Sequence, residues 1–566
     1  MIGGGPAGLF AARLLKSEHP TWAVRVSERL VPDDTFGFGV ALTARTLRAV
    51  GDADAPTRDA LVKASVPMPA QQIRLPRSSA LSRGGGGGVA IARSALLEIL
   101  LRAAQDVGVE IEMGCDRRLD EVRDADLVIA ADGVGSAVRE QFSGRLGARL
   151  RLGNGVFIWL GVDKALTANL FAPVFTDHGM FNIHGYPYTS DRSTIGVEAD
   201  FETFQAAGMD VSTDQTSPDR SDQFSVDYLQ RAFAEVLDNA QILANRSRWM
   251  RFRTVTLDRW HIENIVLIGD AAHTAHYSLG SGTKLALEDA LALASTVSRG
   301  EVSEALTEYE RLRRPPVESL QDRAIRSQRW WESLRHRVDA VDASQMMLAY
   351  LSRAGAVSGR VLAKHDPALL REGLASFAGV GPDDVDINDP SRWTLARAWS
   401  RGDWRAQSRV IGDSVLGLPS GLRRLTFNEA LNGASTLDHT QDGGSYLEVT
   451  SLHELVEARK KRPHGRACVV LSTRIDDPWA EQADALHAHC LELQEAGAAA
   501  IRLEGPTDRR ALLDRVALAE RIKLQTSLVV IVTGPRAFID DLADGVAAGR
   551  ADLVAVFSDS ESDDGY

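Results

Sequence analysis

Three glycines at the start of the chain constrain its fold most strongly. Gly3, Gly5 and Gly8 have the spacing GxGxxG, and an apolar helical stretch follows them. Residues Trp22–Ser27 then have the composition of a strand that ends at Glu28, at the spacing of about 20 residues expected for a ribose-binding acid. This order of turn, helix, strand and acid is typical of a βαβ unit that binds a dinucleotide, with the pyrophosphate at the helix N-terminus.

Only Met1 and Ile2 stand before the first glycine, although a strand of about five residues is usual at this position. We expect a misassigned start codon or missing residues to account for the short strand. A glycine-rich turn without function is the alternative interpretation, which the acid at the expected spacing disfavours.

A second stretch places an acid at the end of a buried strand. Leu127–Ala131 is apolar and leads to Asp132-Gly133, and Ser136 and Arg139 follow on a predicted short helix. An ordinary Asp-Gly turn is the alternative. We favour a binding role for Asp132 because the stretch follows the first motif in the order that a nucleotide-binding domain requires.

A third stretch combines a strand, a glycine-rich loop and a helix. Ile265–Ile268 is a predicted strand, Asp270 caps the turn after it, and Leu285–Ala294 consists of strong helix formers. Gly280 and Gly282 lie just before this helix, where backbone N–H groups are unpaired and the helix dipole is positive. Such a site suits an electron-rich ring oxygen or a developing anion.

Together these stretches resemble the FAD-binding segments of the flavoprotein aromatic hydroxylases, the group A FAD monooxygenases. The most specific part is GDAAH followed by GSG and EDA, within residues 269–290. The resemblance implies that Asp270 holds the ribityl chain, Arg93 lies on the pyrophosphate, and Asp132 lies near FAD and the nicotinamide nucleotide. The implied FAD contacts are Gly3, Gly5, Gly8, Glu28, Arg29, Arg93, Asp132, Asp270, Gly280, Gly282 and Thr283. For Arg93, an ordinary surface arginine is the alternative.

Further segments narrow the resemblance to one subgroup. They are DDTFGFGV at 33–40, WLGVDK at 159–164, IHGYPY at 183–188, the stretch at 259–294 and ERLRRPPVES at 310–319. These segments are similar to the salicylyl-CoA 5-hydroxylase and 2-aminobenzoyl-CoA monooxygenase group, a resemblance that ends near residue 370. Tyr277 and Lys284 replace a proline and an asparagine of the general hydroxylase pattern, and the thioester subgroup shares the GSGTK form.

The resemblance implies an FAD-dependent monooxygenase. Its reaction would be hydroxylation of an aromatic acyl-CoA, salicylyl-CoA to 5-hydroxysalicylyl-CoA (gentisyl-CoA) or the 2-aminobenzoyl analogue, with NAD(P)H and O2 through a flavin peroxide. No second GxGxxG unit follows, so the reductant is expected to bind transiently, and the choice between NADH and NADPH stays open. Two alternatives are an FAD hydroxylase of a free or carrier-bound aromatic acid in a biosynthetic pathway, and a non-catalytic flavoprotein that acts as an interaction module.

The middle of the chain predicts a β-sheet that covers an aromatic pocket. Its apolar or alternating runs are Val156–Val162, Met180–Tyr188 and Ser193–Ala199. His184, Tyr186 and Tyr188 alternate along one run and therefore share one face. We expect His184, Tyr186 and Tyr277 to be the catalytic candidates that bind a phenol and take its proton. Ordinary core or surface aromatic residues are the alternative.

Four arginines interleaved with apolar residues are candidates for binding the phosphates of CoA. Arg246 and Arg248, and Arg251 and Arg253, are each spaced by two, so each pair shares a face on a strand. Arg246, Arg248, Arg251 and His276 are the predicted substrate contacts. A solvated strand edge is the alternative interpretation. Arg313 and Arg314, before two prolines, are predicted to end a helix, and the glycines at 84–88 to form a mobile lid or tether.

The composition excludes several classes of function. The net charge of −13 argues against binding to nucleic acid or to an anionic membrane. No apolar run is long enough to span a membrane, and no signal peptide begins the chain. The three cysteines are far apart and lack the spacing of metal ligands, as expected for a cytoplasmic protein without a metal site.

The last third of the chain alternates predicted strands and helices. The predicted strands are Ala467–Leu471, Ala498–Leu503, Leu528–Val532 and Asp552–Phe557, and the predicted helices are Trp479–Glu495, Arg509–Arg521 and Pro535–Ala548. This part of the chain resembles the later strands of a reductase barrel of the old yellow enzyme type, but fewer residues remain than the roughly 250 that a (β/α)8 barrel needs. Early barrel strands and a phosphate-binding glycine-arginine pair are not recognised. We therefore expect a shortened barrel without FMN, which packs on the hydroxylase, binds a carrier protein or forms a homodimer.

The predicted fold class is α/β, with a Rossmann-like FAD domain, a substrate-binding sheet and an incomplete barrel. The expected boundaries are 1–150 and 256–370 for the FAD domain, 151–255 for the substrate domain, 371–400 for a linker, 401–557 for the barrel-like domain and 558–566 for a disordered acidic tail.

Overall fold

A computed structural model of the 566-residue chain describes residues 1–31, 37–83, 88–401, 404–411, 423–425, 445–449, 468–474, 490–492, 494–495, 498 and 500–557. The chain divides into two compact units. Unit 1 comprises Met1–Pro76 and Gly85–Gln328, and unit 2 comprises Arg77–Gly84 and Arg329–Tyr566. Most of the predicted glycine loop at 84–88 and the acidic tail lie outside the described residues.

The secondary structure confirms the predicted α/β class. The strands are β1 Arg25–Glu28, β2 Gly39–Leu42, β3 Val66–Pro67, β4 Gln71–Leu75, β5 Ser78–Ser82, β6 Val89–Ala92, β7 Glu110–Met113, β8 Val128–Ala130, β9 Arg149–Val162, β10 Asn169–Thr176, β11 Gly179–Pro187, β12 Ser193–Ala199, β13 Ile242–Leu243, β14 Met250–Thr256, β15 His261–Ile262, β16 Ile265–Leu267, β17 Trp399–Arg401, β18 Trp404–Ala406, β19 Val410–Ile411, β20 Arg423–Leu425, β21 Ser445–Val449, β22 Cys468–Arg474, β23 Ala500–Glu504, β24 Val529–Pro535 and β25 Leu553–Phe557.

The helices are α1 Pro6–Glu18, α2 Ala44–Ala53, α3 Ala55–Lys63, α4 Arg93–Asp106, α5 Ala137–Gln141, α6 Ser143–Leu146, α7 Phe201–Ala206, α8 Met209–Gln215, α9 Gln223–Ala232, α10 Gly282–Val297, α11 Val302–Glu332, α12 Ala343–Ser352, α13 Gly359–His365, α14 Pro367–Ala378, α15 Pro390–Leu395, α16 Arg509–Gln525 and α17 Ile539–Ala547. Short 3-10 helices occur at Leu119–Glu121, Gly269–Ala271, Tyr277–Leu279, Leu334–His336, Pro382–Asp384 and Arg536–Phe538. No helix among these is both long and apolar enough to cross a bilayer.

The first half of unit 1 is the predicted dinucleotide-binding arrangement. β1 pairs with β7 and β8 pairs with β16, both in parallel, and Ile2 forms parallel bridges to Ser27 of β1 and to Ala130 of β8. One residue therefore takes the place of the usual first strand. Helices α1, α4 and α10 contribute to the apolar core around it.

The predicted substrate-binding sheet is present in unit 1. Within this unit its strands have the order β13-β9-β12-β11-β10-β4, and β14 also pairs with β9. Neighbouring pairs are antiparallel except β10 with β4. Strands β9, β11 and β12 confirm the three strands predicted from the apolar or alternating runs. Strand β4 joins the same sheet, although its residues belong to the predicted FAD domain.

Two predictions about helix ends are wrong. Helix α10 starts at Gly282 and runs to Val297, so it exceeds the predicted Leu285–Ala294 at both ends. Arg313 and Arg314 do not end a helix, because α11 continues through Pro315 and Pro316. Residues of α11 on both sides of the prolines pack into the core of unit 1, which offsets the hydrogen bonds that the prolines remove.

Unit 2 contains a parallel sheet of seven described strands in the order β19-β25-β24-β23-β22-β21-β20. Within this sheet the first strand along the chain, β19, lies beside the last, β25, as in a β/α barrel. The prediction is confirmed for β22 to β25 and for α16 and α17, with ends shifted by a few residues. Early strands β19, β20 and β21 are present, so the expectation that they are missing is wrong. The predicted helix at 479–495 falls largely outside the described residues.

Residues 371–400 are not a linker. They include the end of α14, all of α15 and the start of β17. The side chain of Trp393 is buried and its indole N–H donates to the carbonyl of Asp384 at 3.1 Å. The glycines, prolines and aspartates of this stretch are helix ends and caps, such as Asp389 before α15.

Replacing Trp393 by alanine tests this correction. We expect Trp393→Ala to lower the free energy of unfolding of unit 2 by about 3–5 kcal/mol, because it leaves a cavity in a packed region. Urea unfolding followed by circular dichroism measures the loss, and Arg392→Ala, at an exposed neighbouring position, is the control. A change no larger than that of the control would restore the linker interpretation.

Candidate functional site

The glycine turn at the start of α1 leaves room for a phosphate group. Gly3 has φ +102°, and a Cβ atom added to it would lie 2.3 Å from the carbonyl oxygen of Ala131. A Cβ atom on Gly8 would lie 2.1 Å from the carbonyl oxygen of Gly3, whereas one on Gly5 would meet no atom within 4 Å. Gly3 and Gly8 thus allow close packing, and Gly5 opens onto free space at a helix end that no side chain caps.

Glu28 lies at the end of β1, directly beside this turn. One carboxylate oxygen accepts the backbone N–H of Gly4 at 2.6 Å and the other accepts that of Leu30 at 2.9 Å. These bonds hold the carboxylate beside the turn, where a ribose hydroxyl of a dinucleotide would reach it. Arg29 is exposed in the turn that follows β1.

Asp132 lies in the loop after β8. Its Oδ2 accepts the N–H groups of Ala137 at 2.9 Å and Val138 at 3.4 Å. Its Oδ1 is buried and has no hydrogen-bond partner among the described residues. Because buried acceptors in folded proteins are almost always satisfied, this atom indicates a missing donor such as a cofactor hydroxyl.

Asp270 and Arg93 face each other across the same region. The Asp270 side chain is accessible to solvent, yet protein atoms surround it densely enough to raise the pKa of its carboxyl, against the opposing effects of His273 and Arg93. Burial likewise lowers the pKa of Arg93, and Asp270 opposes that shift. An accessible carboxylate with a raised pKa lies in a cleft rather than on an open surface.

Arg139 ties the two aspartate loops together. Its guanidinium donates to the carbonyl of Ala271 at 2.9 Å, to that of Asp270 at 3.4 Å and to that of Val134. Arg139 was recognised only as part of the Asp132 motif, and its position after a predicted helix start gave no sign that it reaches the other loop.

The turn that carries Asp270 rests on a buried carboxylate of α10. Asp289 of α10 accepts the N–H of Gly269 at 2.9 Å, the ring of His273 at 2.7 Å and the guanidinium of Arg313 at 2.8 Å. Burial alone would raise the pKa of Asp289, but His273 and Arg313 together hold it below its ordinary value. The EDA segment of the third motif contains this residue, so its presence was visible but its role was not.

The start of α10 presents free backbone N–H groups. Gly280 has φ +60° and ends the short helix Tyr277–Leu279, and Ser281 precedes α10 without capping it through its side chain. A Cβ atom on Gly282 would meet no atom within 4 Å, and Thr283 follows it in the first turn. The free space and the positive helix end suit the electron-rich edge of a flavin ring. Together with the orphaned oxygen of Asp132 and the cleft at Asp270, these residues fit FAD.

One face of the substrate-binding sheet is polar and aromatic. By strand register, the side chains on this face are Phe157 and Trp159 of β9, Asn182, His184 and Tyr186 of β11, and Thr194 and Glu198 of β12. The opposite face carries the apolar core of the sheet, packed against α7 to α9. A face with this composition is suited to cover an aromatic ligand.

Tyr277 meets this face. Its ring stacks on that of His184, with centroids 5.6 Å apart and planes 5° apart, and lies 4.7 Å from Phe157 and 5.4 Å from Trp159. Its hydroxyl donates to Glu198 at 2.6 Å. The structure therefore brings two of the three predicted catalytic residues, His184 and Tyr277, into contact and adds Glu198, which no motif had indicated.

Tyr186 shares the strand face with His184, as predicted, but is held differently. Its hydroxyl donates to the carbonyl of Gly39 at 3.3 Å, and burial raises the pKa of its phenol. Tyr188 follows the end of β11 and packs against Gly39. A Cβ atom added to Gly39 would lie 2.6 Å from the Cβ atom of Tyr188. Tyr186 thus remains protonated and acts as a donor.

Only the second of the two predicted arginine pairs, Arg251 and Arg253, lies on a strand. Arg246 has φ +51° and, like Arg248, precedes β14, so the first pair has no strand face. The guanidinium of Arg248 donates to the carbonyl of Thr213 at 2.7 Å. Arg251 and Arg253 lie on β14 and are exposed, with a register shift between them, and Arg251 donates to the carbonyl of Gly153 at 2.8 Å.

His276 lies apart from these arginines. It is buried, its ring lies 4.8 Å from that of Phe252 and 4.2 Å from that of Tyr277, and its Nδ1 is 2.9 Å from the hydroxyl of Ser278. It therefore belongs to the aromatic cluster around Tyr277, which lies in the flavin segment, residues 269–290 with the GDAAH, GSG and EDA motif. No group of three or more potential metal ligands is found among the described residues.

Proteins of similar sequence include a hydroxylase and a monooxygenase of aromatic thioesters. A family model described as an FAD binding domain matches residues 71–324. The salicyloyl-CoA 5-hydroxylase of Streptomyces sp is 34% identical over 564 residues, with 98% of each chain covered. The 3-hydroxy-4-methyl-anthranilyl-(aryl-carrier protein) 5-monooxygenase of Streptosporangium sibiricum is 36% identical over 368 residues, which are 64% of this chain and 95% of that one. A solved structure of 2-methyl-3-hydroxypyridine-5-carboxylic acid oxygenase has 21% identity and a TM-score of 0.45, over 62% of this chain and 94% of that one.

The Asp289 network yields a prediction about stability. Because removing one partner of a buried ion pair leaves the other unpaired, we expect Asp289→Asn to lower the free energy of unfolding at pH 7 by about 3–5 kcal/mol. The folded-state pKa of Asp289 is depressed, so its contribution is present above pH of about 4 and is lost as the pH falls through the folded-state value. The difference between wild type and variant should therefore shrink in acid.

Urea unfolding between pH 3 and pH 8 measures this difference. Asp258→Asn is the control, because Asp258 forms an exposed ion pair with Arg149 at 2.7 Å and should change stability little. A difference for Asp289→Asn that is as small as the control's, or that does not depend on pH, would contradict the assigned role.

Proposed function

Because this chain belongs to the family of FAD-dependent aromatic hydroxylases, we propose that its substrate is an aromatic acyl thioester of coenzyme A. The family makes the chain a monooxygenase that uses NAD(P)H as reductant. The proposed reaction is the hydroxylation of salicylyl-CoA, or of its 2-aminobenzoyl analogue, at the ring carbon para to the hydroxyl or amino group.

The extent of sequence similarity supports CoA as the carrier. Similarity to the salicyloyl-CoA 5-hydroxylase continues through both units, whereas the relative that acts on an aryl-carrier protein matches only 64% of the chain. A carrier-protein thioester is the second candidate, favoured by the slightly higher identity to that relative within the matched part.

We assign the FAD contacts as follows. The turn at Gly3, Gly5 and Gly8 takes the pyrophosphate together with Arg93, and Glu28 takes the ribose. The open oxygen of Asp132 and the carboxylate of Asp270 take hydroxyl groups of the cofactor. Gly280, Gly282 and Thr283, at the uncapped start of α10, would contact the flavin ring. Bound FAD supplies electrons from NAD(P)H and activates dioxygen; the chain binds, orients and shields the substrate.

The aromatic face of the substrate-binding sheet positions the ring. Phe157, Trp159 and Tyr277 provide flat apolar surfaces and exclude water, which fits a planar aromatic acyl group. Tyr186, protonated because burial raises the pKa of its phenol, is a hydrogen-bond donor and not a proton acceptor. His184 remains the proposed proton acceptor of the site.

For the phosphates of coenzyme A we propose Arg251, together with Arg253 of the same strand. Both side chains are exposed on β14, next to the aromatic cluster that Phe252 joins. Arg246 lies in the bend before β14, and the half-buried Arg248, whose guanidinium donates to the carbonyl of Thr213, lies between this bend and the strand. His276 contacts Phe252 and Tyr277, so its proposed contribution is to the ring pocket rather than to the phosphates.

Substrate-dependent oxidation of the reductant tests the proposed function. We expect purified, FAD-loaded protein to oxidise NADH or NADPH faster when salicylyl-CoA is added, and mass spectrometry to show a gain of one oxygen on the thioester. Free salicylate and salicylyl-carrier protein are the comparison substrates. Equal turnover of the free acid would refute the thioester proposal, and turnover of the carrier-protein thioester alone would favour the second candidate.

Asp270 tests the FAD assignment. Because a hydrogen bond to a charged group contributes substantially to binding, we expect Asp270→Ala to weaken FAD binding roughly 10- to 100-fold. Fluorescence titration of the apoprotein with FAD measures the affinity. Asp124→Ala, which removes an exposed carboxylate of the same unit, should bind FAD like the wild type. Unchanged affinity in Asp270→Ala would remove this residue from the assigned contacts.

A further inference from the structure

The polar face of the substrate-binding sheet carries a carboxylate among its aromatic and polar side chains. Glu198 of β12 pairs by register with Phe157 on one side and Asn182 on the other. Its side chain is 14% exposed, so it is accessible although aromatic rings surround it. No sequence motif marks this residue.

The two oxygens of Glu198 have different surroundings. Oε1 accepts the hydroxyl of Tyr277 at 2.6 Å and lies 3.2 Å from Nε2 of His184. Within the described part of the chain, Oε2 makes neither a hydrogen bond nor an ion pair. The carboxylate is therefore held from one side and open on the other.

Glu198 is ionised. Burial alone would raise its pKa, but His184, His276 and the hydroxyl of Tyr277 outweigh burial and hold the pKa below its ordinary value. An ionised carboxylate only accepts hydrogen bonds, and a partly buried charge with an open oxygen is costly unless a donor reaches it. The ligand that completes this site must therefore bring a hydrogen-bond donor.

The rings beside Glu198 restrict where that donor lies. Trp159 meets the edges of His184 and Tyr277, at centroid distances of 6.4 and 5.4 Å. The hydroxyl of Tyr277 lies in the plane of its ring and reaches Glu198, so a planar ligand stacked parallel to the Tyr277 ring would present its edge, and not its face, toward the carboxylate. The donor is then a substituent of the ring itself.

Resting on the proposed function, we propose that Oε2 of Glu198 accepts a hydrogen bond from the hydroxyl or amino group ortho to the thioester of the substrate. This bond sets the orientation of the ring and selects substrates that carry the donor. The carboxylate also polarises the O–H or N–H bond and raises electron density at the para carbon, where oxygen is added. The proton stays on the substrate in the bound ground state, because a phenol has an ordinary pKa near 10, far above that of this carboxyl.

A series of four CoA thioesters tests the proposal by equilibrium binding to the FAD-loaded protein without reductant. Salicylyl-CoA and 2-aminobenzoyl-CoA carry the ortho donor, benzoyl-CoA lacks it, and 2-methoxybenzoyl-CoA offers only an acceptor. Perturbation of the flavin absorbance reports binding. In the wild type we expect salicylyl-CoA and 2-aminobenzoyl-CoA to bind roughly 10- to 100-fold more tightly than benzoyl-CoA and 2-methoxybenzoyl-CoA. The last two thioesters have no ortho donor and leave the charge of Glu198 unpaired.

The variant Glu198→Gln removes the charge and keeps the shape. We expect it to bind benzoyl-CoA at least as tightly as the wild type, because no charge is left unpaired, and to reduce the preference for the ortho donor to about threefold or less. Its FAD content and its affinity for benzoyl-CoA verify that the fold and the pocket are intact. Glu235→Gln, at an exposed position of the same unit, should retain the full wild-type preference.

The outcomes separate this proposal from the one on which it rests. Binding of all four thioesters by the wild type without a preference for the donor would overturn the role of Glu198 and leave the acyl-CoA hydroxylase standing. The same holds if Glu198→Gln keeps the full preference. Failure of every aromatic acyl-CoA to perturb the flavin would overturn the proposed function, and the role of Glu198 with it.

Discussion

The arrangement of the site depends on one buried carboxylate. Asp289 accepts hydrogen bonds from Gly269, His273 and Arg313, and so fixes the turn that carries Asp270. Desolvation makes an isolated charge at this depth unfavourable, and its three donors offset that cost. Because Arg313 comes from α11, the same interaction attaches the long helix to the flavin segment.

The two faces of the substrate-binding sheet differ in composition and in what they contact. The apolar face binds α7 to α9 and supplies the stability of this part of unit 1, which leaves the other face free to carry polar and aromatic residues. Gly196 is required for this arrangement, since a Cβ atom there would lie 2.9 Å from Nε2 of His184. Gly161 likewise makes room for Phe38, whose ring would lie 2.5 Å from an added Cβ atom.

Local patterns predicted the parts of this protein whose chemistry is encoded within a short stretch. The glycine turn, β8 with Asp132, the strand before Asp270 and the alternating runs of the sheet follow from spacing and periodicity. Contacts between distant stretches were not predictable in this way. Glu198 is one acid in an alternating strand, and only the register of β9, β11 and β12 with the position of Tyr277 gives it a role. The linker at 371–400 was mispredicted because glycine, proline and aspartate also cap helices such as α15.

Tyr277 connects the polar face of the substrate-binding sheet to the flavin segment. The general hydroxylase pattern has proline at this position, which fixes a turn but has no side-chain donor. In this chain the position carries a hydroxyl that donates to Glu198 and a ring that stacks on His184, three residues before Gly280. The turn that exposes backbone N–H groups at the start of α10 is therefore bonded directly to the polar face of the sheet. A ligand that pairs with the open oxygen of Glu198 would bind to a carboxylate whose other oxygen is already held by the flavin segment, so the position of the ring and that of the flavin depend on one shared group.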